Sequence, residues 1–301
     1  MKSIIEFSLK NVVKLPPSLV LISGGWYDPK KLASVAAISP EAINISLPVS
    51  WSPLMFIHNG RILLCGGENN LQFCLQLDKK SWKDHSILQQ KRSWASVATT
   101  NTATFLFGGD ESKDTFEYLG TDSIKWQVGK NKLPNGFSGG SAIAISQNEI
   151  WLIGGAGSYR RILSFDIRSQ TFKELPMKLE WGRRVHRCIQ IPKSSKVIIT
   201  GGEDCANNEL DSTEIIDIET GIIKHAAAMN FKRSYHGIGI LTLENIERVV
   251  VFGGFGNGYT NSIEAFDPER ETWDIIDVSL IQSRSSFGYL TVRKDNIMYL
   301  D

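Results

Sequence analysis

The sequence predicts an all-β protein, a β-propeller in which one four-stranded unit recurs around a ring. Three observations predict it. A Gly-Gly doublet closes a short apolar run six times. The segments around each doublet recur in one order. The C-terminus holds the one strand that the first unit lacks.

The doublets are Gly24-Gly25, Gly66-Gly67, Gly108-Gly109, Gly154-Gly155, Gly201-Gly202 and Gly253-Gly254, with first glycines 42, 42, 46, 47 and 52 residues apart. The runs they close, such as Phe-Leu-Phe before Gly108 and Val-Val-Phe before Gly253, are short and rich in β-branched and aromatic residues. That is the composition of a strand bounded by a turn. Paired glycines let the backbone take positive φ and let a neighbouring chain approach closely. Ahead of the doublet lies an alternating segment that often starts with arginine: Arg92-Ser-Trp-Ala-Ser-Val, Arg183-Arg-Val-His-Arg-Cys, Arg233-Ser-Tyr-His-Gly-Ile and Arg284-Ser-Ser-Phe-Gly-Tyr. After it come a variable loop and a third strand ending near Asp78, Asp166, Asp217 or Asp267. A fourth strand then opens on Trp82, Trp126, Phe172 or Trp273, with Ile223 in that place once. Four strands per unit at a period of roughly 40–50 residues match a propeller blade.

Six blades of four antiparallel strands follow from six doublets. The whole chain 1–301 reads as one domain, with repeats at about 18–50, 51–90, 91–134, 135–180, 181–230 and 231–282 and a closing segment at 283–301. Pro16-Pro17 leaves no room for an opening strand before the first doublet, so Arg284–Val292 is expected to complete that blade and remove the exposed edges. Ile4–Leu9 and Val12–Pro16 read like third and fourth strands of a further unit, which gives a seven-bladed alternative built with Asn296–Leu300.

The best copy of the unit runs Arg233-Ser-Tyr-His-Gly, then Val-Phe-Gly-Gly, then Ala-Phe-Asp-Pro, then Trp273. It closely resembles the kelch repeat, and the resemblance extends over essentially the whole chain. It implies that the glycine pairs, the arginines and the tryptophans are scaffold, and that the acids cap tight turns. It also implies a non-catalytic protein-interaction module, a scaffold or substrate adaptor of the kind that serves cullin-based ubiquitin ligases or binds actin. The ligase role also needs a BTB domain, which these residues do not contain.

The bulk numbers exclude several classes. Thirty-three basic and 32 acidic residues give a net charge of +1, unlike a surface built to hold nucleic acid or anionic lipid. The longest apolar runs have strand length, far too short to span a bilayer. An acid, Glu6, interrupts what would be the core of a secretory leader, so a cytoplasmic monomer is expected. None of Cys65, Cys74, Cys188 and Cys205 has CxxC spacing, so no zinc site and no cofactor is expected. Cys65 and Cys74 flank a hairpin loop, and cross-strand Cα separations of about 4.5–5.5 Å permit a disulfide. A bridge there would place the protein in an extracellular compartment.

Function is expected in the loops of one rim, where aromatic and arginine side chains make the anchors of protein recognition. Loops entering the opening strands contribute Trp51, Trp94, Phe137, Arg184, Tyr235 and Ser285. Loops after the doublets contribute Asn69, Asp110, Tyr159, Arg160, Asn207, Phe255 and Tyr259. The alternative is a secreted or small-molecule-binding propeller with oxidase or sugar mutarotase activity. Galactose oxidase resembles this architecture and uses a histidine- and tyrosine-bound copper, and Tyr235-His236 superficially resembles such a pair. His236 is also the consensus histidine of the repeat, and His186 fills the same slot one unit earlier. Sialic acid mutarotases resemble it too and use arginine, glutamate and histidine near the axis, to which Arg183, Arg184 and His186 would correspond. No nucleophile elbow and no phosphate loop occurs, so no catalytic residue is assigned.

Overall fold

The computed structural model describes residues 18–23, 26–27, 30–31, 35–38, 51–68, 72–79, 81–280 and 282–293. Five sheets have four antiparallel strands each, paired in chain order. Their opening strands are Leu54–His58, Ser96–Thr99, Ser141–Ala144, Arg187–Gln190 and Gly237–Leu243, which number the blades one to five. A sixth sheet has Gly288–Arg293, Ser18–Ser23 and Val35–Ile38 in that order, so the C-terminal strand pairs along its whole length with the first one. The six opening strands touch their neighbours in a complete circle around a central channel.

The expectation of six four-stranded blades is therefore corrected. Five blades have four strands, and the sheet that closes the ring has three among the described residues. Residues 4–16 and 296–300, on which the seven-bladed alternative rests, lie outside the described residues. So do Gly24-Gly25. Among the described residues no helix is long and apolar enough to cross a membrane.

The packing follows from the two-residue period of a strand, which sends successive side chains to opposite faces. In Ala103–Phe107 of blade two, Phe105 and Phe107 pack toward blade three, where they meet Ile150, Leu152 and Phe165. Leu106 between them points the other way, to Phe56 and Leu63 of blade one. Because both faces are covered, such strands read as unbroken apolar runs. The same two-sided packing links blades three to four, four to five, and five to the closing sheet. Fourth-strand aromatics add a polar tie between blades: Trp273 Nε1 donates to Thr213 Oγ1 at 3.0 Å, and Trp126 Nε1 to Ser86 Oγ at 3.1 Å.

The doublets have a specific duty. All five described pairs have positive φ at both residues. This turns the second glycine's N–H onto the next blade: Gly67, Gly155, Gly202 and Gly254 donate to the carbonyls of Arg92, Arg183, Arg233 and Arg284, and Gly109 to that of Phe137. A Cβ on Gly201 would lie 2.3 Å from the Arg233 carbonyl oxygen, so no other residue fits without backbone movement.

The arginines themselves precede the opening strands rather than beginning them, contrary to the sequence reading. Two residues after each arginine slot the backbone is left-handed, at Trp94, Gly139, Val185, Tyr235 and Ser286, and this delays the strand. The arginine then folds back into its own blade. Arg233 donates to Glu264, to the carbonyls of Gly253 and Ser262, and to Ser262 Oγ. Arg92 with Glu117 and Arg183 with Glu214 repeat the arrangement, and all six side chains are fully buried. Blade three departs from it. Phe137 stands in the arginine slot, Leu163 in the glutamate slot, and Gly140 where blades four and five have His186 and His236. A Cβ on Gly140 would sit 2.3 Å from the Phe137 ring, so the three exchanges form one packing unit.

The turn acids cap as expected. Asp267 accepts from the N–H groups of Arg270 and Glu269 and from the Arg270 side chain, which holds its pKa at about 2. Cys65 and Cys74 oppose each other directly in blade one, with Cα atoms 4.1 Å apart, and form a buried disulfide.

Candidate functional site

Antiparallel order places the loops before the opening strands and the loops after the doublets at the same end of each blade. Backbone bridges tie them together at Ser138–Ala156, Arg184–Glu203 and Ser234–Phe255. At that rim the left-handed residues form a collar about the channel. Ser52 N–H donates to Ser286, Ser286 to Tyr235, Tyr235 to Val185, Val185 to Gly139 and Gly139 to Trp94, each through the partner's carbonyl. Positive φ at these positions turns their side chains differently from those of the strand residues that follow.

Trp94 and Tyr235 belong to blades two and five, on opposite sides of the ring. Their rings meet edge to face with centroids 5.0 Å apart over the channel mouth. The Tyr235 hydroxyl is raised above its usual pKa by burial first and then by the charge of Glu203, on which it rests. Glu203 is 6% exposed and also pairs with Arg184 at 3.1 Å. Arg184 reaches Asn207 Oδ1 at 2.8 Å. Ser138 donates to Asp110, and Ser93 donates to Glu111 from both N–H and Oγ at 2.9 Å. A partly open aromatic pair thus sits beside a network of fixed charges, with Phe255 and Tyr259 stacked edge to face on blade five, centroids 5.1 Å apart.

The predicted rim residues do not share one placement. Trp94, Arg184, Tyr235 and Asn207 are brought together, and Asp110, Trp51, Phe255 and Tyr259 stand on the same rim. Tyr159 and Arg160 hold the chain locally: the Tyr159 carbonyl accepts from Arg183 N–H, and Arg160 Nε donates to Leu179 O at 2.6 Å. Phe137 and Ser285 are corrections, since at 1% and 4% exposure they are interior residues with nothing to offer a partner. Asn69 lies outside the described residues. Sequence reasoning missed Glu203, because a glutamate after a diglycine has no pattern to mark it.

The two histidines of the repeat slot, His186 and His236, are interior. His236 is fully buried, with Nε2 2.9 Å from Thr200 Oγ1, and His186 is equally buried in the equivalent slot. Among the described residues no group of three His, Cys, Asp or Glu side chains is placed to hold a metal ion.

Radial sheets around a collared channel define the class, a β-propeller. A family model described as "Kelch motif" matches residues 247–276. The RING finger domain and kelch repeat-containing protein of Dictyostelium discoideum is 23% identical over 222 residues, which cover 71% of this chain and 22% of that protein. The chain therefore spans less than a quarter of that relative's length. The solved structure titled "Structure of YjhT" is similar at a TM-score of 0.66 and 16% identity, over 79% of this chain and 87% of that one, which is a likeness of fold. The chain is a β-propeller that carries a kelch motif at residues 247–276.

Proposed function

We propose that the chain is a non-catalytic recognition module that acts as a monomer and holds a partner protein against the rim carrying Trp94, Arg184 and Tyr235. The observation that carries this reading is the constellation itself. Two aromatics and an arginine are positioned at a rigid backbone collar, and the polar ends of Arg184 and Tyr235 are fixed on Glu203, so little side-chain freedom is lost on docking. The name of the Dictyostelium relative joins kelch repeats to a RING finger, which supports an adaptor role, and we infer a cytoplasmic location on the same ground.

The test is affinity capture with the native chain beside Trp94→Ala, Arg184→Ala and Tyr235→Ala, and beside Ile246→Ser on the opposite rim. Captured partners should fall at least tenfold for the first three and stay unchanged for the last. Equal capture by all would sink the rim assignment.

One observation favours a second reading, a secreted propeller: the Cys65–Cys74 disulfide, a bond that persists in oxidising compartments. Trapping thiols with an alkylating mass tag in lysed source cells decides it. Tagging of both residues supports the cytoplasmic adaptor, and a bridged pair supports the secreted protein.

A further inference from the structure

The channel holds a feature that rim recognition does not use. The opening strands enclose a cavity of about 670 Å³, within the range typical of small-molecule sites. Its walls are mainly apolar, from Leu54, Val97, Ile189, Ile238, Ile240 and Leu290. At the rim already described, the meeting of Trp94 and Tyr235 narrows its mouth. Arg187 lines the cavity near that narrowed end.

Arg187 differs from three arginines that face the protein interior. Arg92, Arg183 and Arg233 each have a buried glutamate partner. Among the described residues no carboxylate lies within ion-pair range of Arg187. Its Nε donates to the His236 carbonyl at 2.8 Å and its Nη1 to the His186 carbonyl at 3.1 Å, and its guanidinium carbon lies 5.3 Å from the centre of the Tyr289 ring. These contacts fix the group in one orientation and, among the described residues, leave its charge without a counterion. A half-buried cation in apolar surroundings is costly unless an anion meets it.

Glu247 also lines the cavity, on the second strand of blade five, level with Thr242. Thr242 lies five residues beyond Gly237, which occupies the Arg187 slot in its own blade. At about 3.4 Å per residue the two backbone positions are roughly 17 Å apart along the strands. Cys188 lies beside Arg187, and burial pushes its thiol up to about 12, which makes it a poor nucleophile and points to binding rather than covalent chemistry.

We propose that the channel is a binding site for a small monocarboxylate with an apolar body, its carboxylate on Arg187 and its chain along the aliphatic walls. The aliphatic walls beyond Arg187 disfavour a second anionic group. The site is independent of the partner-binding reading, and either can fail without the other.

Calorimetric titration with octanoate, octanol, octylammonium and suberate tests it. Octanoate should bind at one site per chain, at least tenfold more tightly than octanol, with octylammonium and suberate weaker still. Arg187→Met should weaken octanoate at least tenfold and leave octanol unchanged, and Ile240→Trp, which fills the cavity, should abolish both. The comparison of the four probes on the native chain needs no variant, so the test survives a misfolded Arg187→Met. No binding of octanoate, equal binding of octanoate and octanol, or tight octanoate binding after Ile240→Trp would each overturn the proposal.

Discussion

Glu214→Leu should destabilise the protein by about 3–5 kcal/mol, the usual cost of leaving one partner of a buried ion pair alone. Arg183 is fully buried and its other hydrogen bonds go to neutral groups, the carbonyls of Trp181, Gly201 and Ser212 and the Ser212 hydroxyl. Removing Glu214 also strands the N–H of Glu180, which donates to it at 2.7 Å. Blade three shows how the same space is filled without charge, by Phe137, Leu163 and Gly140. The triple change Arg183→Phe, Glu214→Leu and His186→Gly copies that solution. It should recover most of the loss and end within about 2 kcal/mol of the parent, because well-packed apolar groups commonly replace a buried pair without penalty. Urea denaturation followed by tryptophan fluorescence gives both values. If the triple variant is less stable than Glu214→Leu alone, the three blade-three exchanges are not one packing unit.

The second large effect is a pH dependence set by His186 and His236. Both are held well below the ordinary histidine range, by burial first and then by arginines, Arg183 and Arg187 for His186 and Arg187 and Arg233 for His236. In the unfolded chain each takes up a proton below about pH 6.5, while in the folded chain it stays neutral. The unfolded state therefore binds more protons, and stability falls as pH drops through that value, by about 1.4 kcal/mol per pH unit for each histidine. Two of them amount to about 3–4 kcal/mol between pH 7 and pH 5. The turn carboxylates, such as Asp217 and Asp267, have lowered values and withdraw their contribution only at more acidic pH. The closing sheet places Phe287 in this slot, where its ring packs on Gly253 as the imidazoles pack on Gly154 and Gly201. His186→Phe with His236→Phe should thus fold, lose about 1 kcal/mol at pH 7 with the Thr200 bond, and flatten the slope. His58, lowered by burial in the same direction, leaves a residual slope. An unchanged slope in the double variant would show that the two histidines titrate normally.

Much of this architecture was legible in the residues, because a backbone requirement repeated at a fixed period leaves a mark that side-chain variation cannot hide. Each doublet must pass beneath a neighbouring carbonyl, so its glycines recur, and each turn acid must meet two N–H groups, so Asp166, Asp217 and Asp267 recur. The arginines were visible but misplaced. A residue of positive φ such as Tyr235 has no sequence preference strong enough to show that the strand starts later. Their glutamate partners also recur, in Phe-Glu117-Tyr, Thr-Glu214-Ile and Ile-Glu264-Ala, a signal that alignment of the third strands would have exposed. The rim was harder. Phe137 looked like a loop aromatic because its burial depends on Gly140 and on Leu163, and Leu163 is near it only after folding. Glu203 and Arg187 acquire meaning from contacts between blades, and nothing in their local sequence announces them.

The pairing of Ser18–Ser23 with Gly288–Arg293 has a consequence for synthesis. Until the last of those residues has left the ribosome, one side of the first strand has no partner, and five finished sheets wait with an open seam. That interval is when a nascent chain is most exposed to joining the wrong neighbour. A premature stop anywhere before Gly288 would make it permanent.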